Sequence, residues 1–85
     1  MKKYSIYVDG ERLGWAFRSL WAARYHASCA AEASGAAVLV IDDGTGAVMF
    51  SFERAAGGPV RCTYADPDAL RIVYPPEKCF YNMPA

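Results

Sequence analysis

The sequence predicts an α+β fold: an antiparallel sheet of four to six strands with one alanine-rich helix packed on one face. Two patterns indicate it. In several short stretches apolar residues recur at every second position, which is the period of a half-buried strand. One longer stretch, LWAARYHASCAAEAS, has apolar residues at the helical period, between a serine and a glycine that suit helix ends. The predicted order is strand, strand, helix, strand, strand, and then two more strands.

The first strands are predicted to form a hairpin. Three apolar residues alternate along the first strand: Tyr4, Ile6 and Val8. The pair Asp9-Gly10 comes next, and such a pair between apolar runs favours a two-residue turn because glycine adopts positive φ at little cost. On the returning strand, three large apolar residues are expected to share a face: Leu13, Trp15 and Phe17.

A helix is predicted from Leu20 to Ala33. Ser19 stands at the N-cap position, and Gly35 stands where a left-handed residue commonly ends a helix. At about 100° per residue, five residues fall within one stripe. They are Leu20, Ala23, Ala27, Ala30 and Ala31. Because this stripe is nearly all methyl groups, the helix can lie close against a sheet with large side chains.

A second hairpin is predicted after the helix. The continuous apolar stretch from Val38 to Ile41 is typical of a central strand. The segment DDGTG turns the chain, and the next strand carries three alternating apolar residues: Val48, Phe50 and Phe52. Residues 55–59, AAGGP, are predicted to form a loop.

The last third of the chain allows two interpretations. Two alternating sets predict two further strands: Val60, Cys62 and Tyr64, then Leu70, Ile72 and Tyr74. Between them ADPDA would form a hairpin loop, or else Asp66-Pro67 would cap one turn of helix. Pro75-Pro76 ends regular structure, and residues 75–85 are predicted to be an extended tail of a single domain that spans residues 1–85.

Composition argues against several classes of function. Lys and Arg number 9 and Asp and Glu number 9, so the formal net charge is zero. Nucleic-acid binders usually carry a basic excess, and a DNA mimic needs an acidic one. The longest apolar run, residues 36–41, is too short to cross a bilayer. An odd cysteine count, 3, without a secretory signal predicts a reduced, cytoplasmic protein.

Few residues are candidates for chemistry. His26 and Cys29 are three apart and would be neighbours on the helix surface, but a Cys-His nucleophile also needs an orienting group and an oxyanion hole. With Cys62 and Cys79 they make four conceivable zinc ligands, yet the cysteines lack the close pair of a zinc knuckle. We therefore expect core cysteines, no catalytic site, no metal and no cofactor.

The helix flank is the first candidate for a binding surface. Trp21, Arg24 and Tyr25, with Ser28, lie about 40° to 140° from the alanine stripe. Trp, Tyr and Arg are the residue types most enriched at binding hot spots. The alternative is that Trp21 and Tyr25 cover the sheet edge and enlarge a core made mostly of alanine.

The other face of the sheet is the second candidate. Four apolar residues would point away from the helix: Tyr7, Leu39, Met49 and Val73. A six-stranded sheet is about 29 Å wide, whereas one helix covers about 10 Å. The remaining apolar surface would be covered by curling of the sheet into a partial barrel, by the C-terminal tail, or by another chain.

The stretch YSIYVDGERLGWAFRSLWAARYHA, a hairpin followed by an alanine-rich helix, resembles the AP2-like, arm-type DNA-binding domains of phage integrases. The resemblance covers about a quarter of the chain and implies a sheet that enters the major groove. Those domains present basic residues on the sheet. The corresponding strands here offer three basic residues amid two acidic ones: Lys3, Arg12 and Arg18 with Asp9 and Glu11.

In size and compactness the chain also resembles the small inhibitors that phages and mobile elements encode against bacterial defences, such as anti-CRISPR proteins. The likeness is one of type, without a shared motif, and it assigns no role to any residue. It implies stoichiometric blocking of a larger host complex, such as a CRISPR effector, through a preformed surface.

These observations predict a non-enzymatic protein-binding module, plausibly an inhibitor. Its partner would contact Trp21, Arg24 and Tyr25 on the helix flank, or Tyr7 and Met49 on the open sheet face. Two alternatives stay open: a nucleic-acid-binding domain that uses the first hairpin, and a thiol or zinc protein that uses the three cysteines. The exposed apolar surface is also compatible with a homodimer.

Overall fold

A computed structural model describes residues 2–73 of the chain, and within them the fold is α+β, as predicted. Five strands and two helices follow one another in this order: β1 (Tyr4–Val8), β2 (Glu11–Phe17), α1 (Leu20–Ser34), β3 (Val38–Asp42), β4 (Val48–Arg54), β5 (Val60–Ala65) and α2 (Pro67–Val73). The strands form one antiparallel sheet with the order β2-β1-β3-β4-β5. Strands β2 and β5 are therefore the two edges.

The predicted turn of the first hairpin is confirmed. Asp9 and Gly10 both have positive φ, 51° and 84°, which is the combination that a two-residue type I′ turn requires. Tyr4 lies opposite Phe17 across the β1–β2 pair. Phe17 is therefore on the same face as the core residues of β1.

Both predicted caps of α1 are also observed. The Ser19 hydroxyl accepts a hydrogen bond from the Ala22 backbone N–H at 3.2 Å. At the other end Gly35 adopts φ 70° and donates its N–H to the Ala31 carbonyl at 2.9 Å. The helix ends at Ser34, one residue later than predicted.

The alanine stripe of α1 forms the centre of the core. Ala23, Ala27 and Ala31 have no exposed surface, and Leu20 is also buried. They pack on the apolar face of the three central strands, whose buried residues are Tyr4, Ile6, Val38, Val40, Phe50 and Phe52. The helix contributes methyl groups to the core and the sheet contributes two phenyl rings. Small side chains of the helix therefore face large side chains of the sheet, as the sequence predicts.

The prediction of a sixth strand, Leu70 to Tyr74, is wrong. Residues 67–73 form α2, which the alternative interpretation of Asp66-Pro67 anticipated. The Asp66 carboxylate accepts hydrogen bonds from the N–H groups of Asp68 (2.8 Å) and Ala69 (3.3 Å), which caps the first turn. Ala69 and Val73 are buried four residues apart, as on one helical face. Val73 therefore belongs to the core and not to an open sheet face, and the predicted tail, 75–85, lies outside the described residues.

On the face of the sheet opposite α1, a polar group joins β1 to the β3–β4 turn. The buried Ser5 hydroxyl donates to the Asp43 carboxylate at 2.6 Å and accepts from Arg12 Nε at 3.0 Å. The Arg12 guanidinium also lies 3.8 Å from the Asp43 carboxylate. This group occupies the outer surface of the hairpin that the resemblance to AP2-like domains would place in DNA.

Lengthening a buried alanine of α1 is expected to destabilise the fold. Ala27→Leu adds three carbons where no exposed surface remains, so we expect a loss of about 1–3 kcal/mol in the free energy of unfolding, measured by urea denaturation. The control Ala33→Leu, on the exposed side of the same helix, should change it by less than about 0.5 kcal/mol. Equal stability of Ala27→Leu and the wild type would contradict close contact between helix and sheet.

Removing the Ser5 hydroxyl is expected to cost about 1 kcal/mol of unfolding free energy, because two side-chain hydrogen bonds lose their shared partner. Ser51→Ala is the matched control, since among residues 2–73 the Ser51 hydroxyl bonds only the exposed Thr63. That control should lose less than about 0.5 kcal/mol in the same denaturation experiment. If Ser5→Ala loses no more unfolding free energy than the control, the hydrogen bonds of Ser5 with Arg12 and Asp43 do not stabilise the first hairpin.

Candidate functional site

Five aromatic rings form an unbroken series of contacts across β2 and α1. The Trp15 and Phe17 rings meet edge to face at 6.5 Å between centroids, and Phe17 stacks on His26 at 4.9 Å. The His26 ring meets Tyr25 edge to face at 5.8 Å, and Tyr25 stacks on Trp21 at 5.8 Å with the planes 2° apart. We call these five residues the aromatic belt.

The periods of a strand and a helix put these rings together. Trp15 and Phe17 are two apart on β2, so they project from the same face of the edge strand. Trp21 and Tyr25 are four apart on α1, so they lie one above the other on the helix surface. Only two residues, 18 and 19, connect β2 to α1, and this short connection keeps the strand rings beside the helix rings.

The aromatic belt is anchored at one point and exposed elsewhere. Phe17 is half-buried and packs against the core. Trp15, Trp21 and Tyr25 keep 59%, 54% and 53% of their surface exposed, and His26 is exposed as well. Trp21 and Tyr25 thus lie on the solvent side, as the binding interpretation expects, and neither belongs to the buried core.

Arg24, predicted on the same flank, occupies a different place. Its guanidinium carbon lies 5.6 Å from the centre of the Phe50 ring and 5.9 Å from that of Phe52. The side chain is half-buried. Because Arg24 is only about 40° from the alanine stripe, its long stem follows the helix toward the sheet. The Arg24 guanidinium therefore packs over the phenyl rings of the core, beside the belt.

The outer face of the sheet is less apolar than the sequence predicts. Tyr7 and Leu39 are paired across β1 and β3 and both are half-buried. Met49 lies at an irregularity of the β3–β4 pairing and packs against the core. Toward β5 the outer face turns polar, where the Thr63 hydroxyl donates to the Ser51 hydroxyl at 3.0 Å. Tyr7 and Met49 therefore share no surface with the aromatic belt.

The prediction of core cysteines is wrong for the two that the structure describes. Cys29 and Cys62 are exposed and free, and the core positions are filled instead by the alanines of α1 and the phenylalanines of β4. Cys79 lies outside the described residues. Within residues 2–73, no three His, Cys, Asp or Glu side chains converge as a metal site would require. His26 instead uses its ring face to stack on Phe17.

The sequence predicts a partner-binding role for two of the five belt residues, Trp21 and Tyr25, and for none of the other three. Trp15 and Phe17 were assigned only to the strand, and His26 was considered only with Cys29, as a catalytic pair or as zinc ligands. The available signal was the short connection of residues 18 and 19, which brings the end of β2 next to the start of α1. It could have indicated that strand rings and helix rings share one surface.

A second group of exposed apolar side chains lies at the opposite edge of the sheet from β2, at β5 and α2. Tyr64, Leu70 and Ile72 are 47%, 40% and 57% exposed. No ring contact joins Tyr64 to another aromatic residue within the part of the chain that the structure describes. Leu70 and Ile72 are isolated aliphatic side chains, which are common on protein surfaces.

Comparison with protein-family models, with curated proteins and with solved structures gives no match to this chain. Among residues 2–73, neither helix is long and apolar enough to cross a membrane.

The fluorescence of the two tryptophans tests the exposure of the belt. Because the Trp15 and Trp21 rings are both more than half exposed, the emission maximum of the folded protein should lie close to that of the urea-unfolded chain. The variants Trp15→Phe and Trp21→Phe assign the signal to each ring. A large red shift on unfolding in either variant would mean that its remaining tryptophan is buried and would contradict the belt.

Proposed function

We propose that this protein is a non-enzymatic module that binds another protein through the aromatic belt. The observation that carries the proposal is the exposure of three rings of the aromatic belt, Trp15, Trp21 and Tyr25, each more than half open to water. Rings that only enlarged the core would be buried. Contiguous apolar surface on a monomer is often functional, and Trp and Tyr are the residues most enriched where binding energy concentrates.

The size of the belt suits the centre of an interface. At about 150–250 Å² for each aromatic side chain, the open parts of three rings supply roughly 250–400 Å². A standard protein–protein interface buries about 800 Å² on each partner. The belt therefore provides a hot-spot centre, and neighbouring polar residues of β2 and α1 would form the rim.

The rings are also held in place before a partner arrives. Trp21 and Tyr25 stack on each other, and Phe17 links the helix rings to the core. Binding to pre-oriented side chains loses less conformational entropy than binding to mobile ones. This arrangement supports recognition through a rigid surface.

An inhibitor that blocks a larger host complex, such as a CRISPR effector, is the narrower form of the proposal. It rests on the likeness of type to anti-CRISPR proteins, and a rigid surface on a small domain is compatible with it. Titration of the purified complex would test it, since a stoichiometric inhibitor abolishes activity at a one-to-one ratio. If the host complex keeps full activity while it is bound to the aromatic belt, the protein is a binding module and not an inhibitor.

Nucleic-acid binding through the first hairpin is less well supported. Arg12, the basic residue of the β2 strand, is engaged by Ser5 and Asp43 on the outer face. Binding to phosphates would have to break that ion pair. Measuring the affinity for duplex DNA at increasing salt concentration distinguishes nucleic-acid binding from protein binding. Phosphate contacts make the affinity fall steeply with salt concentration, whereas the aromatic belt gives no such dependence.

The double variant Trp21→Ala/Tyr25→Ala tests the proposal. A partner is first captured from lysate of cells that carry the gene, then identified, purified and titrated with each variant. Loss of two hot-spot rings should cost at least about 2 kcal/mol, or roughly thirtyfold in Kd. Because both rings are exposed, we expect the unfolding free energy to change little, and circular dichroism checks this.

The matched control is Leu70→Ala/Ile72→Ala, which removes two exposed apolar side chains from α2 and leaves the belt unchanged. The control should bind with the wild-type Kd. If the belt variant is folded and keeps the wild-type Kd, the aromatic belt is not the binding surface and the proposal fails.

A further inference from the structure

Acidic residues are missing from the whole segment that builds the aromatic belt. Residues 12–31 contain three arginines and no Asp or Glu, in a chain whose formal net charge is zero, so the remaining residues carry a net charge of −3. Glu11 and Glu32 lie just beyond the two ends of the segment. The first turn of α1, where acidic residues are common, has none.

Of the three arginines, Arg18 is the one available to a partner. Arg12 is engaged by Asp43 on the opposite face of the sheet, and Arg24 lies over the phenyl rings of the core. Arg18 is exposed, and within residues 2–73 no hydrogen bond or ion pair holds it. It lies in the two-residue connection between Phe17 and the N-cap of α1, next to the belt.

We propose that the partner segment bound on the aromatic belt is acidic and that one of its carboxylates pairs with Arg18. This inference rests on the proposed function and adds the chemistry of the partner. A surface of exposed rings that follows an exposed arginine in the chain, in a segment whose acidic residues stand only beyond its two ends, is complementary to a peptide that combines apolar and acidic side chains. It disfavours a basic segment, since Arg18 would repel it and no acid of the belt would compensate.

An acidic protein segment fits this surface better than a single-stranded nucleic acid. Grooves that bind single strands track the phosphates with many cations, whereas the belt offers Arg18 alone. Trp21 and Tyr25 also stack on each other, so one face of each ring is occupied. A single ion pair beside a hydrophobic centre is typical of a protein interface.

Selection from a displayed library of random 12-residue peptides tests the inference without a known partner. The probe set is the group of peptides that bind the immobilised wild type and lose binding to Trp21→Ala/Tyr25→Ala. We expect these peptides to be enriched in Asp and Glu as well as in aromatic or aliphatic residues. For each of them, Arg18→Gln should weaken binding about two- to fivefold, as removal of a partly exposed ion pair does.

Two further variants separate the ion pair from general charge. Arg18→Lys should keep part of the preference for acidic peptides. Selection on Arg18→Glu should give peptides that are not enriched in Asp and Glu. Arg61→Glu, a charge reversal at an exposed position of β5, should leave the selected sequences unchanged. Raising the NaCl concentration should reduce the preference for acidic peptides and leave the apolar preference.

The outcomes distinguish this inference from the proposed function. If belt-dependent peptides are found but carry no acidic excess, or if Arg18→Gln binds them as the wild type does, the acidic partner is wrong and the belt stands. If no peptide depends on Trp21 and Tyr25, the support for both fails. Belt-dependent binding of a dT12 oligonucleotide, or belt-dependent dimerisation in sedimentation, would also overturn the acidic segment as occupant.

Discussion

The structure depends on the close contact between the alanine stripe of α1 and the sheet. Three alanines without exposed surface let the helix backbone lie near the two phenylalanines of β4, which are among the largest side chains of the core. The caps at Ser19 and Gly35 fix where the helix starts and ends. Moving the helix along or away from the sheet would therefore leave a gap over Phe50 and Phe52. The position of α1 set by this contact determines which other residues the helix touches.

The same constraint explains why the large rings of the helix are on the surface. A helix whose buried stripe is methyl groups has no room beneath it for an indole or a phenol, so Trp21 and Tyr25 occupy positions that face water. In a chain of this length, leaving such rings open forgoes several kcal/mol of burial that a larger core would have gained. The exposed rings therefore remain available for contacts outside the fold, which is the basis of the proposed function.

Most of the fold was predictable because its signals are local. The Asp9-Gly10 turn, the caps of α1 and the alternation along β1 and β4 each depend on a few neighbouring residues. The error at α2 arose because Leu70, Ile72 and Tyr74 alternate like a strand, whereas the burial that decides the element follows Ala69 and Val73. The place of Arg24 over the core and the contact of Phe17 with His26 are tertiary features, and no sequence period specifies them.

The aromatic belt and the core are coupled through one contact. Phe17 belongs to the sheet and His26 to the helix, and their rings stack at 4.9 Å only because the alanines hold α1 at its present height. Added bulk beneath the helix would move His26 away from Phe17 and divide the belt into a strand half and a helix half. The surface would then lose its continuity while the hydrogen bonds of the sheet and helix remained. Packing in the interior therefore sets the shape of the belt on the exterior, and under the proposed function selection on binding would also act on residues that no partner touches.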